Sequence, residues 1–200
     1  MLFDKTKTAN PRTILFPILV VVLVLSQTVD GAGHQVTRVH DGDTLKVRGD
    51  SGEFTIRLVG IDAPEKSKKK REPGQPFSQK ATEYLAGLVL NQSVDVKECG
   101  VDRYGRILGI VVLEGTDINQ EMLKMGFAEV YRGKPVKGFD LAPYLDAERE
   151  AREAKKGIWG QGLEYVSPRD WRKGQSTRLR RDRSSAPPLE VISGAEGLGY

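Results

Sequence analysis

The segment at residues 54–65 constrains the fold most, because a regular strand pattern in it runs straight into a charged turn. Apolar residues occupy alternate positions over residues 54–58, which is the two-residue period of a strand with one buried face. A glycine then permits a bend, and a proline ends the strand pairing because it has no N–H to donate. We therefore expect Arg57, Asp62 and Glu65 at the end of a rigid strand, where their charges can converge.

Two shorter strands precede this one and predict an antiparallel meander. They are expected at Gln35–Val39 and Thr44–Arg48, separated by a tight Asp-Gly-Asp turn. A Gly-Asp-Ser-Gly turn then closes the second strand onto the third, Glu53–Ile61. Pairing of this kind brings the turn at Asp43 beside the turn at Asp62.

Three helices and two further strands complete the predicted domain, which is β-rich α+β. The helices are expected at Pro76–Leu90, from Asp117 onward and at Pro143–Lys156, and the strands at Ser93–Cys99 and Arg106–Leu113. Asp117 suits the N-cap of the second helix, because Gln120 three residues on completes a capping box. The first helix is expected to bury the stripe Phe77, Ala81, Tyr84, Leu85 and Leu88. Gly157 suits the position after the third helix.

Residues 1–33 are expected to lie outside this domain. An almost unbroken apolar run at residues 14–25 follows a basic segment, and it is shorter than the about 20 residues that a membrane span needs. The run favours a signal peptide and export, as a secreted or periplasmic protein, with a retained membrane anchor as the alternative. The domain is placed at residues 34–173, and the Arg-rich tail at residues 174–200, with its Pro, Gly and Ser, is predicted to be disordered.

The charge balance permits an anionic partner without requiring one. The chain has 31 Lys and Arg against 27 Asp and Glu, a formal charge of +4. Its single cysteine, Cys99, excludes an intramolecular disulfide. With His34 and His40 as the only histidines, neither a zinc site nor a ribonuclease mechanism with two imidazoles is favoured.

Four carboxylates are predicted to share one cleft, and this arrangement favours a hard cation. Asp41, Asp43, Asp62 and Glu65 would repel one another, and a divalent ion with oxygen ligands relieves that repulsion. Carboxylates with a backbone carbonyl suit Ca²⁺ or Mg²⁺. The loop is not an EF-hand, because Leu45 would stand where an oxygen ligand is needed.

Two arginines near this acidic cleft indicate that it acts on phosphate groups. Arg57 precedes Asp62 on the same strand, and Arg106 begins another strand after a tight turn. A guanidinium group can donate two hydrogen bonds to two oxygens of one phosphate. A metal, two arginines and a glutamate are therefore the groups needed for phosphodiester hydrolysis. The alternative is that these residues form surface ion pairs.

The sequence resembles the staphylococcal nuclease (thermonuclease) family in four stretches that keep the family's order and spacing. These stretches are Val39–Thr44, Ile56–Glu65, Asp102–Arg106 and Lys156–Trp159. The resemblance covers roughly residues 34–165. It implies an OB-fold, a barrel of five strands with three helices.

The family's functional residues can be carried over position by position. The resemblance implies Ca²⁺ ligands at Asp43, Asp62 and the backbone carbonyl of Ala63, and catalytic roles for Arg57, Glu65 and Arg106. Substrate contacts would fall on Arg103, Tyr104 and Tyr131. Members of this kind hydrolyse single-stranded DNA and RNA and leave 3′-phosphates. A monomer with a nucleic acid substrate is expected, and a membrane is a partner only if residues 14–25 are retained.

Two other functions remain open at this point. The domain could be an OB-fold module that binds nucleic acid without cleaving it, or a membrane-anchored nuclease that processes incoming DNA. A module that only binds has no need for the set Arg57, Asp62, Glu65 and Arg106, which is complete here. The complete set therefore favours the nuclease.

Overall fold

The structure is a computed structural model, and it describes residues 33–67 and 72–174. The predicted signal peptide or anchor and nearly all of the predicted tail lie outside the described residues. Within them, no helix is long and apolar enough to cross a membrane. The strands are β1 His34–Asp41, β2 Thr44–Gly49, β3 Gly52–Leu58, β4 Ile61–Asp62, β5 Ser93–Val101, β6 Ile107–Leu113, β7 Thr116–Asp117 and β8 Glu129–Val130. The helices are α1 Ser78–Val89, α2 Ile118–Lys124 and α3 Ala142–Glu153, followed by a 3₁₀ segment at Gly157–Glu164 and a short helix at residues 168–174.

Five strands close into a mixed barrel, which confirms the expected OB-fold architecture. The sheet runs in the order β3-β2-β1-β5-β6, and parallel pairing of β3 with β6 closes it. The meander β1-β2-β3 is antiparallel, with Thr44 opposite Arg57. The short strand β4 continues from β3 and pairs with β8, where Asp62 lies opposite Glu129. The barrel thus fixes the backbone on both sides of the charged turn.

The core lies inside the barrel and under the helices. The fully buried side chains include Val36, Leu45, Val47, Ile56, Leu58, Leu85, Ile118, Met122, Leu123 and Ile158. Ile56 and Leu58 are the inward positions of the alternation that the sequence showed, and burying each such side chain stabilises the fold by about 2 kcal/mol. The opposite face of β3 is therefore left to carry Arg57.

The helices differ from the sequence prediction in number and in their ends. The described residues contain five helical segments, whereas the sequence analysis predicts three. The two additional segments are the 3₁₀ segment and the 168–174 helix. Helix α1 begins at Ser78 rather than Pro76, since Phe77 has a φ of 68° and cannot continue a helix. The position after α3 is taken by Lys155, with a φ of 51°, rather than by Gly157, which begins the 3₁₀ segment.

The predicted cap of α2 is confirmed. The side chain of Asp117 accepts a hydrogen bond from the backbone N–H of Gln120 at 3.0 Å. The Gln120 side chain donates back to the Asp117 carboxylate at 3.0 Å. This cap fixes the start of the helix that carries Asn119, whose fully buried amide joins β3 to β6.

Candidate active site

The Asp-Gly-Asp turn between β1 and β2 places Asp43 next to the second acidic turn, at Asp62 and Ala63. A side chain on Gly42 would meet the Cβ of Ala63 at 2.7 Å and that of Ala81 at 2.8 Å, so only glycine lets the turn approach this closely. The Ala63 N–H donates to Asp43 Oδ2 at 2.9 Å, and the Thr44 hydroxyl donates to Asp43 Oδ1 at 2.9 Å. The expected approach of the two acidic turns is therefore present.

Arg57 joins the two acidic turns through one guanidinium group. Its Nη1 pairs with Asp43 Oδ2, and its Nη2 donates to Asp62 Oδ1 at 3.0 Å. Only 2% of the Asp62 side chain and 15% of the Arg57 side chain are exposed, so water screens this pairing weakly. The spatial arrangement that the sequence required of these three residues is present.

The electrostatics of the turns show an excess of negative charge. Burial alone would raise the pKa of Asp43, but the neighbouring Arg57 outweighs burial and holds that pKa below its usual range. Arg57 also lowers the pKa of Asp41, but burial first, and then the charge of Asp43, outweigh it and raise that pKa to about 7. Asp41 is therefore protonated more readily than an ordinary aspartate.

Asp41→Asn is expected to stabilise the metal-free protein more at pH 8 than at pH 5. The folded-state pKa of Asp41 lies above its ordinary value, so its contribution to stability is full below about pH 4 and is lost as the pH rises through about 7. Asparagine keeps the acceptor for the Asp43 N–H and removes the charge. The free energy of unfolding, measured with urea in the presence of a chelator, should gain about 2 kcal/mol more at pH 8 than at pH 5. The exposed Asp50→Asn is the control, and equal gains for Asp41→Asn at both pH values would contradict the prediction.

Glu65 and Asp62 share a second arginine, Arg172, which the sequence did not reveal. Its Nη2 donates to Asp62 Oδ2 at 2.7 Å and its Nη1 donates to Asp62 Oδ1 at 3.0 Å. The same Nη1 reaches Glu65 Oε1 at 2.6 Å. These bonds raise the pKa of Arg172, so it stays charged. Asp62 thus binds one guanidinium from β3 and another from the 168–174 helix.

A local signal for the 168–174 helix was present in the sequence Ser167-Pro168-Arg169-Asp170. The Ser167 hydroxyl accepts from the Asp170 N–H at 3.1 Å and donates to the Asp170 carboxylate at 2.9 Å. Serine before a first-turn proline, with an acidic residue three positions on, is the pattern of a helix start. The helix was therefore predictable, but its contact with Asp62, 110 positions away in the chain, was not.

The backbone near Glu65 is held to the same C-terminal segment. The side chain of Gln75, only 5% exposed, accepts from the Glu65 N–H at 3.0 Å and donates to the Val166 carbonyl at 2.7 Å. One residue earlier in the chain, the Tyr165 hydroxyl donates to Glu129, the residue opposite Asp62. Gln75 and Tyr165 therefore bring the residues that lead into the 168–174 helix against the site.

Arg106 lies immediately before β6, in the turn that follows β5. The register pairs Arg57 on β3 with Leu108 on β6, so Arg106 stands two residues before the partner of Arg57. The Arg106 Nε donates to Asp102 Oδ2 at 2.7 Å, and the Asp102 carboxylate also accepts the backbone N–H groups of Tyr104 and Arg106. Asp102 therefore positions Arg106, while Asp43, Asp62 and Glu65 meet around Arg57 and Arg172.

The predicted substrate residues divide between two places. Tyr104 is exposed, and the guanidinium of Arg103 lies 4.8 Å from the centre of its ring, so both belong to the turn that carries Arg106. Tyr131 lies elsewhere, in a cleft of about 210 Å³ beside the acidic cluster. The cleft is lined by Asp62, Tyr131, Arg132, Gly133, Arg169 and Arg172. An anionic chain would meet arginine and tyrosine side chains at both places.

The donor set suits a hard divalent cation in its chemistry. Asp43 and Asp62 are carboxylates on a rigid frame, and burial together with the charge of Asp43 raises the pKa of Asp41 beside them. Within residues 33–67 and 72–174, no three Asp, Glu, His or Cys side chains stand together as a formed metal cluster. Instead the positive group of Arg172 lies against oxygen atoms of Asp62 and Glu65. The carboxylates of Asp43 and Asp62 therefore suit a hard cation in their chemistry, and an arginine covers part of this set of oxygen atoms.

Comparison with known proteins points to the same group of enzymes. The family model described as staphylococcal nuclease homologue matches residues 55–161. A protein named micrococcal nuclease from Shigella flexneri is 37% identical over 150 residues, which cover 70% of this chain and 79% of the relative. An "uncharacterized endonuclease" from Haemophilus influenzae is 32% identical over 182 residues, or 89% of this chain and 94% of the relative. A "probable endonuclease LCL3" from Komagataella phaffii is 40% identical over 111 residues, or 52% of this chain, and the match spans about half of that relative, 48%.

Proposed function

Because the chain belongs to the family of staphylococcal nuclease homologues and is a nuclease, we propose that it is a Ca²⁺-dependent endonuclease that hydrolyses DNA and RNA. Single strands are the preferred substrate, and the products carry 3′-phosphates. The observation that supports this proposal most is the bridge from Arg57 to both Asp43 and Asp62. In this hydrogen-bonded cluster, a guanidinium that suits a phosphate is joined to two carboxylates that suit a hard cation.

Each residue of the cluster has a proposed role. Asp43, Asp62 and the backbone carbonyl of Ala63 would hold the cation. When bound, Ca²⁺ supplies polarisation of a phosphoryl oxygen and a lower pKa for a coordinated water. Glu65 orients the attacking water and accepts its proton.

The two catalytic arginines act on the phosphate. Arg57 and Arg106 donate to the oxygens on which charge grows in the transition state. Each arginine is held before substrate arrives, Arg57 by Asp43 and Asp62 and Arg106 by Asp102. Little reorganisation is then needed during the reaction.

Binding of the nucleic acid strand would use both flanks of the cluster. Arg103 and Tyr104 lie on the turn before β6, and Tyr131 lines the cleft beside Asp62. Exposed aromatic rings stack on bases of any sequence, and they do so most readily in single strands. This supports activity on denatured DNA and on RNA with little sequence preference.

Glu65→Gln is expected to lower kcat on denatured DNA by about 10³-fold, because glutamine cannot accept the proton of the attacking water. The assay measures acid-soluble product with Ca²⁺ and, separately, with an excess of chelator, which should stop the wild-type protein. Glu83→Gln, at an exposed position of α1, is the matched control and should keep wild-type kcat. Full activity in chelator would remove the metal from the proposal, and binding of DNA without cleavage by the wild-type protein would identify a binding module instead.

The location of the protein, exported or anchored to a membrane, is a separate proposal. We propose that residues 14–25 direct the chain out of the cytoplasm, with an anchored form as the alternative. The chemistry at Arg57, Asp62 and Glu65 is the same in both forms. A monomer is sufficient for it, because all the residues assigned here come from one chain.

A further inference from the structure

Arg172 lies where the proposed function requires a cation to bind. Three hydrogen bonds join its guanidinium to both oxygens of Asp62 and to one oxygen of Glu65, at 2.6 to 3.0 Å. Asp62 is 2% exposed at its side chain, so few other partners can reach it. A carboxylate oxygen held by a charged N–H is a weaker ligand for a metal ion, because its lone pairs and its charge are already engaged.

Arg172 belongs to a part of the chain outside the matched family domain. The family model covers residues 55–161, whereas the helix that carries Arg172 spans residues 168–174. Asp43, Arg57 and Ala63 are joined to Asp62 without any help from this helix. The helix therefore contacts the site, but the barrel does not need it to bring Asp43, Arg57 and Asp62 together.

We propose that Arg172 is a positioning residue that closes the cation site of the metal-free protein, and that a divalent cation binds only by displacing it from Asp62 and Glu65. This inference rests on the proposed function, because it takes Asp62 as a metal ligand. Displacement leaves Asp62 paired with Arg57 and frees Glu65 to orient the attacking water. The metal affinity of the protein then depends on competition between the cation and Arg172 for Asp62 and Glu65.

The geometry allows this displacement without disturbing the fold. The Arg172 side chain is 39% exposed, so solvent can receive the guanidinium once it leaves. The segment before the helix is held separately, through the bond from Gln75 to the Val166 carbonyl. The capping contacts between Ser167 and Asp170 are within the helix and exposed. The guanidinium of Arg172 can therefore leave Asp62 and Glu65 while the barrel stays closed.

The first test is a calorimetric titration of the full chain with Ca²⁺ alone. Arg172→Gln should bind Ca²⁺ about tenfold more tightly than the wild-type protein, because the competing charge is gone. Arg169→Gln is the matched control: it lies on the same helix, lines the same cleft and removes the same charge. It should change the Kd for Ca²⁺ by less than about twofold, as expected for a screened surface charge.

A second readout follows the helix itself. Binding and release are reciprocal, so saturating Ca²⁺ should speed hydrogen exchange in residues 168–174 of the wild-type protein. It should also change the fluorescence of Trp171, a partly buried neighbour of Arg172. In Arg172→Gln, exchange in the same residues should be fast already and change little when Ca²⁺ is added.

The possible results separate this inference from the proposed function. Tighter Ca²⁺ binding by Arg172→Gln alone, with Ca²⁺-driven exchange of the helix in the wild-type protein, supports the inference. Equal Ca²⁺ affinities for the wild-type protein and Arg172→Gln, or equal gains for Arg172→Gln and Arg169→Gln, would overturn it and leave the Ca²⁺-dependent nuclease intact. An absence of Ca²⁺ binding in every variant, with cleavage that continues in chelator, would overturn both.

Discussion

Arg57→Ala is expected to lower kcat on denatured DNA by about 10³-fold, or roughly 4 kcal/mol of transition-state stabilisation. The loss has two sources. A donor to the phosphate oxygens disappears, and the bridge that fixes Asp43 relative to Asp62 disappears with it. Because both carboxylates are buried, the metal-free variant should also unfold more easily, by about 3 kcal/mol.

Two comparisons separate the chemical loss from the structural one. Arg57→Lys keeps the charge but cannot donate in two fixed directions, so it should remain folded and still lose about 10²-fold in kcat. Arg48→Ala, on the adjacent strand β2, removes an exposed arginine that pairs with Glu53, and it should leave kcat unchanged. A folded Arg57→Lys protein with wild-type kcat would show that a bidentate contact between this side chain and the phosphate is not needed.

Asn119→Ala is expected to lower the free energy of unfolding by about 3 kcal/mol, or roughly 10 °C in Tm. The fully buried Asn119 amide donates to the Val59 carbonyl at 2.9 Å and to the Gly109 carbonyl at 3.0 Å, and it accepts from the Val111 N–H at 3.1 Å. Removing it leaves three buried backbone groups without this partner, and each such group is costly. Thermal unfolding followed by circular dichroism measures the effect.

The matched control for Asn119→Ala lies on the same helix. Lys124→Ala changes an exposed residue in the last turn of α2 and should shift Tm by no more than a few degrees. Because Asn119 joins the end of β3 to β6, its loss should also loosen the strand that carries Arg57. A Tm for Asn119→Ala within 2 °C of the wild-type value would show that the rest of the barrel holds these strands together alone.

The local patterns in the sequence were sufficient for the barrel strands and for the acidic turns. The alternation around Ile56 and Leu58 predicted which face of β3 is buried and hence that Arg57 lies on the other. The Asp-Gly-Asp turn and the proximity of Asp43 to Asp62 followed from the meander. These features could be predicted because each depends on residues close together in the chain or on one pairing step.

The contacts that could not be predicted join distant positions through single polar side chains. The Gln75 bond to Val166, the Asn119 bond to Val59 and the Arg172 bonds to Asp62 have no periodic signal, since one residue makes each of them. The assigned roles of Asp43, Glu65 and Arg106 remain predictions, and the variants above test the role of Glu65 directly. The fate of residues 14–25 lies outside the described residues.

The parallel pairing of β3 with β6 also bears on how the protein is made. Ile56 pairs with Ile107, so the barrel cannot close until about fifty more residues have left the ribosome. Such long-range pairing makes folding slow, because the chain loses the entropy of a large loop before the contacts that stabilise the closed loop can form. The last partner of Asp62 is synthesised later still, at Arg172. A growing chain would therefore acquire its hydrolytic centre only after β6 has been synthesised.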